Sequence, residues 1–273
     1  MAALSLAFSM SAACGQEGSS GGSGGESLRV GLLLPDTQAV RYEEFDKPFI
    51  EEKVEERCSG CTVEYANAEG DAAAQQQQLD SMLTKGVDVL ILDPVNSPSL
   101  GPSVTKAADA GVPVVSYDRL VEGPVSAYVS YDREAVGRIQ GEALLQDLGD
   151  SAADSQIVWI EGPHITPGAS AREKGALEVL EGEVRIGKRY EAAAWRAENA
   201  NAIMTGAIAH LGADNIDGVY AGNDTLAGGA ISALKNAKIE PVPPVTGQDA
   251  ELLAVQRIVA GDQAASEPFP TSG

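Results

Sequence analysis

GVDVLILDPVNSPSLGPSVTKAADAGVPVVSYDR, residues 86–119, decides the fold. Val87 to Leu92 is an aliphatic run of strand length, stopped by Asp93-Pro94. Leu100 to Ala110 has helical patterning and ends at Gly111, a residue that terminates helices. Val112 to Ser116 is again a short aliphatic strand. Two such strands joined by a helix rather than a tight turn pair in parallel, with the helix as crossover. Each ends on polar residues: Asp93 after the first, then Tyr117, Asp118 and Arg119 after the second.

The same alternation extends in both directions. Upstream, strands over Leu28 to Leu34 and Thr62 to Ala66 are each followed by a helix, Phe45 to Arg57 and Ala72 to Lys85. Downstream, a strand at Ala127 to Ser130 leads to Asp132, the expected N-cap of a helix over Arg133 to Leu148. Further strands fall at Ile157 to Ile160, Arg185 to Tyr190, Gly218 to Ala221 and near Val245. Helices between and after them cover Ala169 to Glu181, Asn199 to Leu211, Thr225 to Asn236 and Glu251 to Ala260. Two successive units of this kind predict an α/β protein of two doubly wound parallel-sheet lobes. The expected boundaries are an N-terminal lobe over 28–120, a hinge over 121–126, a C-terminal lobe over 127–263 and an irregular tail over 264–273. The pentapeptide Val-Ser-Tyr-Asp-Arg occurs at 115–119 and again at 129–133. One copy ends a strand and the other opens a helix, so identical letters are expected to do different work.

The 273 residues include 19 Lys and Arg against 40 Asp and Glu, a net charge of -21. A surface so acidic is repelled by phosphate backbones and argues against nucleic acid as a partner. At the N-terminus, the small and apolar residues of MAALSLAFSMSAA end at Cys14, which reads as a signal peptide over 1–14 ending in a lipidated cysteine. No Lys or Arg precedes the apolar run, and Ser11 stands where the lipoprotein motif has Leu. Residues 15–27, GQEGSSGGSGGES, have the composition of a flexible tether. Cys58 and Cys61 can pair in an oxidising compartment; a redox centre or half a zinc site is the alternative. Zinc would need two further ligands, and the histidines, His164 and His210, are remote in sequence.

Ligands of open parallel sheets sit outside the carboxyl ends of the strands. Those ends carry Asp36 and Arg41, Asp93, the Tyr117-Asp118-Arg119 group, Glu161 to Gly168, and Asn223-Asp224. Carboxylates, amides and guanidinium groups engage vicinal hydroxyls in pairs, and an aromatic ring such as Trp195 or Tyr117 packs on a sugar's C–H face. No dinucleotide fingerprint, phosphate loop or nucleophile elbow occurs; Gly168-Ala169-Ser170-Ala171-Arg172 lacks the elbow's final glycine.

Asp36–Phe45, Asn67–Gln78, Gly86–Pro94, Val114–Leu120 and Gly222–Leu234 resemble the xylose-binding branch of periplasmic sugar-binding proteins. The most specific pieces are YDR at 117–119, NDTLAGGAISAL from Asn223 and GQDAELLAVQRI from Gly247. The resemblance spans about Leu28 to Gln263 and implies a type I periplasmic binding protein whose two lobes close over one sugar. It implies ligand contacts from Arg41, Asp118, Arg119, Trp195, Asn223 and Asp249. Bland alternatives stand beside these: Asp118, Asn223 and Asp249 as turn or helix caps, and Arg41 and Arg119 as solvated residues. Trp195 has lobe packing as its alternative. Where family members read D-N-N-A-K, this chain has Thr166-Pro167-Gly168-Ala169-Ser170, which takes away two amides and puts xylose itself in doubt. Family members also continue past the Q-R-I-x-A-G segment, so truncation at the C-terminus is expected, with loss of an interlobe crossing, a ligand-contacting lysine and part of the first lobe's cover.

The resulting expectation is binding without chemistry: a monomeric, cofactor-free and metal-free component of a bacterial ABC importer. It would be exported, lipid-anchored on the outer face of the cytoplasmic membrane or periplasmic, and would pass a xylose-like pentose or related monosaccharide to a membrane permease. A sugar-sensing partner of a receptor and a truncated, non-binding fragment are the alternatives. A repressor-type regulator would need an N-terminal helix-turn-helix, and this chain has a secretory start instead.

Overall fold

The computed structural model describes residues 27–164 and 167–268. Cys14 and the tether expected to follow it up to residue 26 lie outside the described residues, as do 165–166. Among the described residues no helix is long and apolar enough to cross a membrane.

The first sheet contains β1 (Arg29–Leu34), β2 (Thr62–Asn67), β3 (Val89–Leu92), β4 (Val114–Tyr117) and β5 (Ala127–Val129), in the order β2-β1-β3-β4-β5. Its crossovers are α1 (Lys47–Arg57), α2 (Ala72–Lys85) and α3 (Ser97–Asp109). The second sheet contains β6 (Gln156–Glu161), β7 (Arg185–Glu191), β8 (Gly218–Ala221), β9 (Val245–Gln248) and β10 (Ala265–Glu267), in the order β10-β9-β8-β6-β7. It is covered by α4 (Arg133–Leu148), α5 (Pro167–Leu180), α6 (Ala197–Leu211), α7 (Asp224–Asn236) and α8 (Leu252–Ala260). All pairings are parallel. Read from its other edge, the second sheet repeats the first, so β4 corresponds to β9 and β5 to β10. This is the type I periplasmic binding protein arrangement.

Burial on both faces explains the unbroken aliphatic runs. In β1, Leu32 and Leu34 pack with Ala39 and Tyr42 on one face, while Leu33 packs with Leu90, Leu92, Leu100 and Val104 on the other. In β6, Val158 and Ile160 meet Ala200, Met204 and Ala230, and Ile157 and Trp159 meet Leu144 and Leu180. Side-chain caps fix the starts of several crossovers. Asp71 accepts from Ala73 N and Ala74 N, Asn96 from Ser99 N, and Asp132 from Ala135 N, the last as its sequence position predicts.

Three expectations are corrected. The strand at 127–129 belongs to the first sheet, because it pairs with β4 through Val115–Ala127, Ser116–Tyr128 and Tyr117–Val129. The chain therefore crosses between lobes at Ser130-Tyr131-Asp132, and 121–126 lies in the β4–β5 connection. All three residues of β5 are exposed, so it carries no burial pattern that could assign it to a lobe. The expected irregular tail contains β10, which pairs with β9 through Ala265–Thr246, Ser266–Gly247 and Glu267–Gln248. Residues 269–273 of that tail are outside the described residues. Finally, a π-helical turn over Tyr42–Asp46 precedes α1, so the helical segment begins before Phe45.

Cys58 and Cys61 are joined by a disulfide in the turn between α1 and β2. Leu28 N donates to Cys61 Sγ at 3.2 Å, tying that turn to the approach to β1.

Candidate functional site

The carboxyl ends of the two sheets face one cleft. All six residues singled out in the sequence line it: Arg41, Asp118 and Arg119 from the first lobe, and Trp195, Asn223 and Asp249 from the second. A neighbouring recess, bounded by Asp36, Pro163 and Arg196, shares Arg119 and Trp195 with it.

The first lobe's contribution is a buried ion network. Arg41 Nη2 donates to Asp118 Oδ2 at 2.7 Å and lies 3.2 Å from Asp46 Oδ2 and 4.0 Å from Asp93 Oδ2. Arg119 is held by Pro94 O and the Tyr42 hydroxyl, each at 3.1 Å, with its Nε 3.6 Å from Asp93 Oδ1. From across the lobe junction, Arg133 Nη2 donates to Asp118 O at 2.8 Å and also pairs with Asp118 Oδ1. Burial by itself would raise the Asp118 carboxyl, but Arg133, Arg41 and Arg119 outweigh it and hold the group well below the usual carboxylate range. Asp46, less favourably placed, is pushed up to about 6 by burial against the pull of Arg41. Burial also pushes the fully enclosed Asp93 carboxyl well up. Gln75 pins the strand end that carries Asp93, donating to Asp93 O at 2.7 Å and accepting from Val95 N at 2.7 Å.

In the second lobe, Arg172 of α5 donates through Nη1 to Gln248 Oε1 at 3.0 Å and pairs through Nη2 with Glu161 Oε1. Its guanidinium carbon stands 5.3 Å from the centre of the Trp195 ring. The indole is seated on Gly162 and Gly222: a Cβ on Gly162 would lie 2.3 Å from the ring, and one on Gly222 would lie 3.1 Å from it. Asn223 caps α7, its Oδ1 accepting from Leu226 N at 2.9 Å, while it also lines the cleft. Asp224 begins the helix rather than capping it. It is buried, accepting from Gln263 Nε2 at 2.8 Å, Ser266 Oγ at 2.6 Å and Glu251 N at 3.0 Å.

Asp118 and Asp249 occupy equivalent places, immediately after β4 and β9. Both have left-handed backbone, φ 55° and 99°, a conformation that strains a residue with a side chain. Each is held there by the neighbouring edge strand: Asp118 N donates to Val129 O at 2.9 Å and Asp249 N to Glu267 O at 2.8 Å. β10, which had no strand pattern in the sequence, thus does for Asp249 what β5 does for Asp118. Asp249 does not cap α8, whose N-cap is Glu251.

Besides Ala39, five further cleft residues, all polar, escaped the sequence reading as ligand candidates: Tyr42, Tyr131, Arg133, Arg172 and Gln248. A signal existed for two of them. Since Tyr117 of β4 pairs with Val129 of β5, the second Val-Ser-Tyr-Asp-Arg copy leaves its strand beside the first and brings Tyr131 and Arg133 to the cleft. The copies still differ in role, for Asp118 is an ion-pair centre and Asp132 is a helix cap. Gln248 donates to the Tyr131 hydroxyl at 2.8 Å, bridging the second lobe and the crossover.

A family model described as a periplasmic binding protein domain matches residues 30–267. The chain belongs to that family. Among its relatives, the D-xylose-binding periplasmic protein of Haemophilus influenzae is 32% identical over 244 residues, covering 87% of this chain and 71% of the relative. The protein described in the same words from Escherichia coli is 30% identical, covering 87% and 72%. Among solved structures, an ABC transporter solute binding protein from Clostridium phytofermentans with bound β-D-glucose superposes with a TM-score of 0.80 at 28% identity, covering 87% of this chain and 78% of that one.

Proposed function

We propose that this member of the periplasmic binding protein family is the solute-capturing component of a bacterial ABC importer, holding a monosaccharide between its lobes. The observation that carries this reading is the facing pair Asp118 and Asp249, set among arginines in one interlobe cleft beside Trp195. Ionised carboxylates accept hydroxyl hydrogen bonds, guanidinium groups donate them, and an indole face takes the apolar side of a pyranose. In this reading Arg41, Arg119, Asn223 and Asp249 bond sugar hydroxyls, Asp118 orders the arginines around it, and Trp195 stacks. Nothing is transformed: the lobes close about residues 130–132 and the liganded form is presented to a permease. The relatives favour a xylose-like pentose or a related sugar.

Export fits the Cys58–Cys61 disulfide, since such bonds persist in oxidising compartments. A monomer anchored through a lipid on Cys14 completes the reading. Calorimetric titration with pentoses and hexoses tests it: saturable heat with at least one is expected, and no heat from folded protein with any of them overturns it.

A further inference from the structure

The two lobes dispose of their arginines differently. In the first, Arg41, just before the π-helical turn that leads into α1, pairs with Asp118 after β4. In the second, Arg172 of α5, the crossover equivalent to α1, is taken by Glu161 at the end of β6 instead. No ion pair from Asp249 is found among the described residues; its side-chain hydrogen bond comes from Gln248 Nε2 at 3.1 Å. Gln248 is also the residue that receives Arg172 Nη1, so the guanidinium stands one side chain away from Asp249. Space for Glu161 is provided by Gly222, where a Cβ would lie 2.3 Å from Glu161 Oε1.

Resting on the sugar-binding reading above, we propose that Glu161 is a positioning and specificity residue: by holding Arg172 it keeps Asp249 free of a cation, as an acceptor for ligand hydroxyls. An arginine-bound Asp249 would have its oxygens occupied, as Asp118 has. The consequence is a preference by charge. Arg41 and Arg133 pair with Asp118, Arg119 lies against Asp93, and Arg172 pairs with Glu161, so the cleft retains an unpaired carboxylate and disfavours sugar acids. Asp249 faces Arg41, Asp118 and Asp46 across the cleft, Arg133 from α4, Arg172 from α5, and Asp224 and Glu251 within its own lobe. Burial raises its carboxyl above the ordinary value, against the pull of Arg41 and Arg172.

The test has a ligand-free arm and a ligand arm. Carbon-13 carboxyl titration of the unliganded protein follows Asp249 in the wild type, Glu161→Gln and Glu161→Asp. Glu161→Gln releases Arg172 toward Asp249 and moves that titration to lower pH, while Glu161→Asp, which keeps the charge, restores it toward wild type. An unmoved Asp249 titration in folded Glu161→Gln overturns the proposal. In the ligand arm, D-xylose, D-glucose and D-glucuronate are titrated from pH 5 to 8. The wild type is expected to favour the neutral sugars, and Glu161→Gln to bind them about tenfold more weakly or worse. Tighter wild-type binding of glucuronate than of glucose also overturns it. If no sugar binds the wild type, the sugar-binding reading falls, and the ligand-free arm still decides whether Glu161 governs Asp249.

Discussion

Asp118 and Asp249 follow equivalent strands, share a positive φ and are held by equivalent edge-strand carbonyls, yet only Asp118 forms ion pairs among the described residues. Three arginines hold Asp118 ionised, whereas Asp249 makes no ion pair among the described residues and burial raises its carboxyl above the ordinary value. Duplicated topology reproduces the backbone site; side chains elsewhere on each lobe decide what the carboxylate is for. The first lobe's aspartate belongs to an architectural ion cluster, and the second lobe's is available to a ligand.

The largest expected effect that can break this comparison is Arg41→Ala. It leaves Asp118, Asp46 and Asp93 short of their shared cation, and losing one partner of a buried pair costs about 3–5 kcal/mol. Chemical denaturation should show that loss together with loss of sugar binding. A role for Arg41 as a ligand contact alone would leave the fold untouched. A change below about 1 kcal/mol would remove the architectural role from the first-lobe cluster. Asp249→Asn is expected to do the reverse, abolishing sugar binding while stability stays the same or rises, because a partly desolvated carboxylate is neutralised. Equal destabilisation by the two variants would erase the distinction between the lobes.

A smaller effect, group by group, is pH-dependent. Burial raises Asp46 and Asp224 to about 6 and Glu251 to about 7. A raised folded-state value gives stability that is complete below the unfolded value and lost as pH rises through the folded one. Thermal unfolding should therefore show stability increasing by on the order of 5 kcal/mol between about pH 7.5 and pH 5. Asp118 has the opposite sign: its contribution is present above the ordinary carboxylate value and lost only as pH falls through its depressed folded value. Glu251→Gln should flatten the limb near neutrality; a stability curve that falls on acidification from 7.5 to 5 would contradict the assignment. The smallest effect is at the crossover, where Asp132→Ala removes the α4 cap and should cost about 1 kcal/mol in the same melts, leaving the choice of sugar unchanged.

Much of this arrangement was legible in the residues. Strands buried on both faces are written as aliphatic runs, and caps such as Asp132 are written as local hydrogen-bonding chemistry, so element order and type followed from the chain. Arg41, Asp118, Arg119 and Asn223 were legible because parallel strands deliver whatever follows them to one edge of the sheet; Trp195 was legible only as an available ring, and Asp249 only through the family resemblance of its G-Q-D segment. β10 was not legible, and β5 was read as a strand but placed in the wrong lobe: three residues each, exposed or partly buried, they carry no burial pattern that assigns them to a sheet. Their membership is decided by hydrogen bonds to β4 and β9, which are partners remote in sequence.

Taken alone, the sequence determined two successive parallel α/β units with polar residues at their strand ends, because local periodicity and chain connectivity place them there, with the single cleft between two closing lobes implied by the family resemblance. It gave Asp118 and Asp249 the same letter and the same place. Only the tertiary structure decided that one is saturated by arginine and the other is not, because ion pairing depends on side-chain distances of a few ångströms between segments far apart in the chain. Arg41 reaches Asp118 across 77 positions, while Glu161 intercepts Arg172 from 11 away.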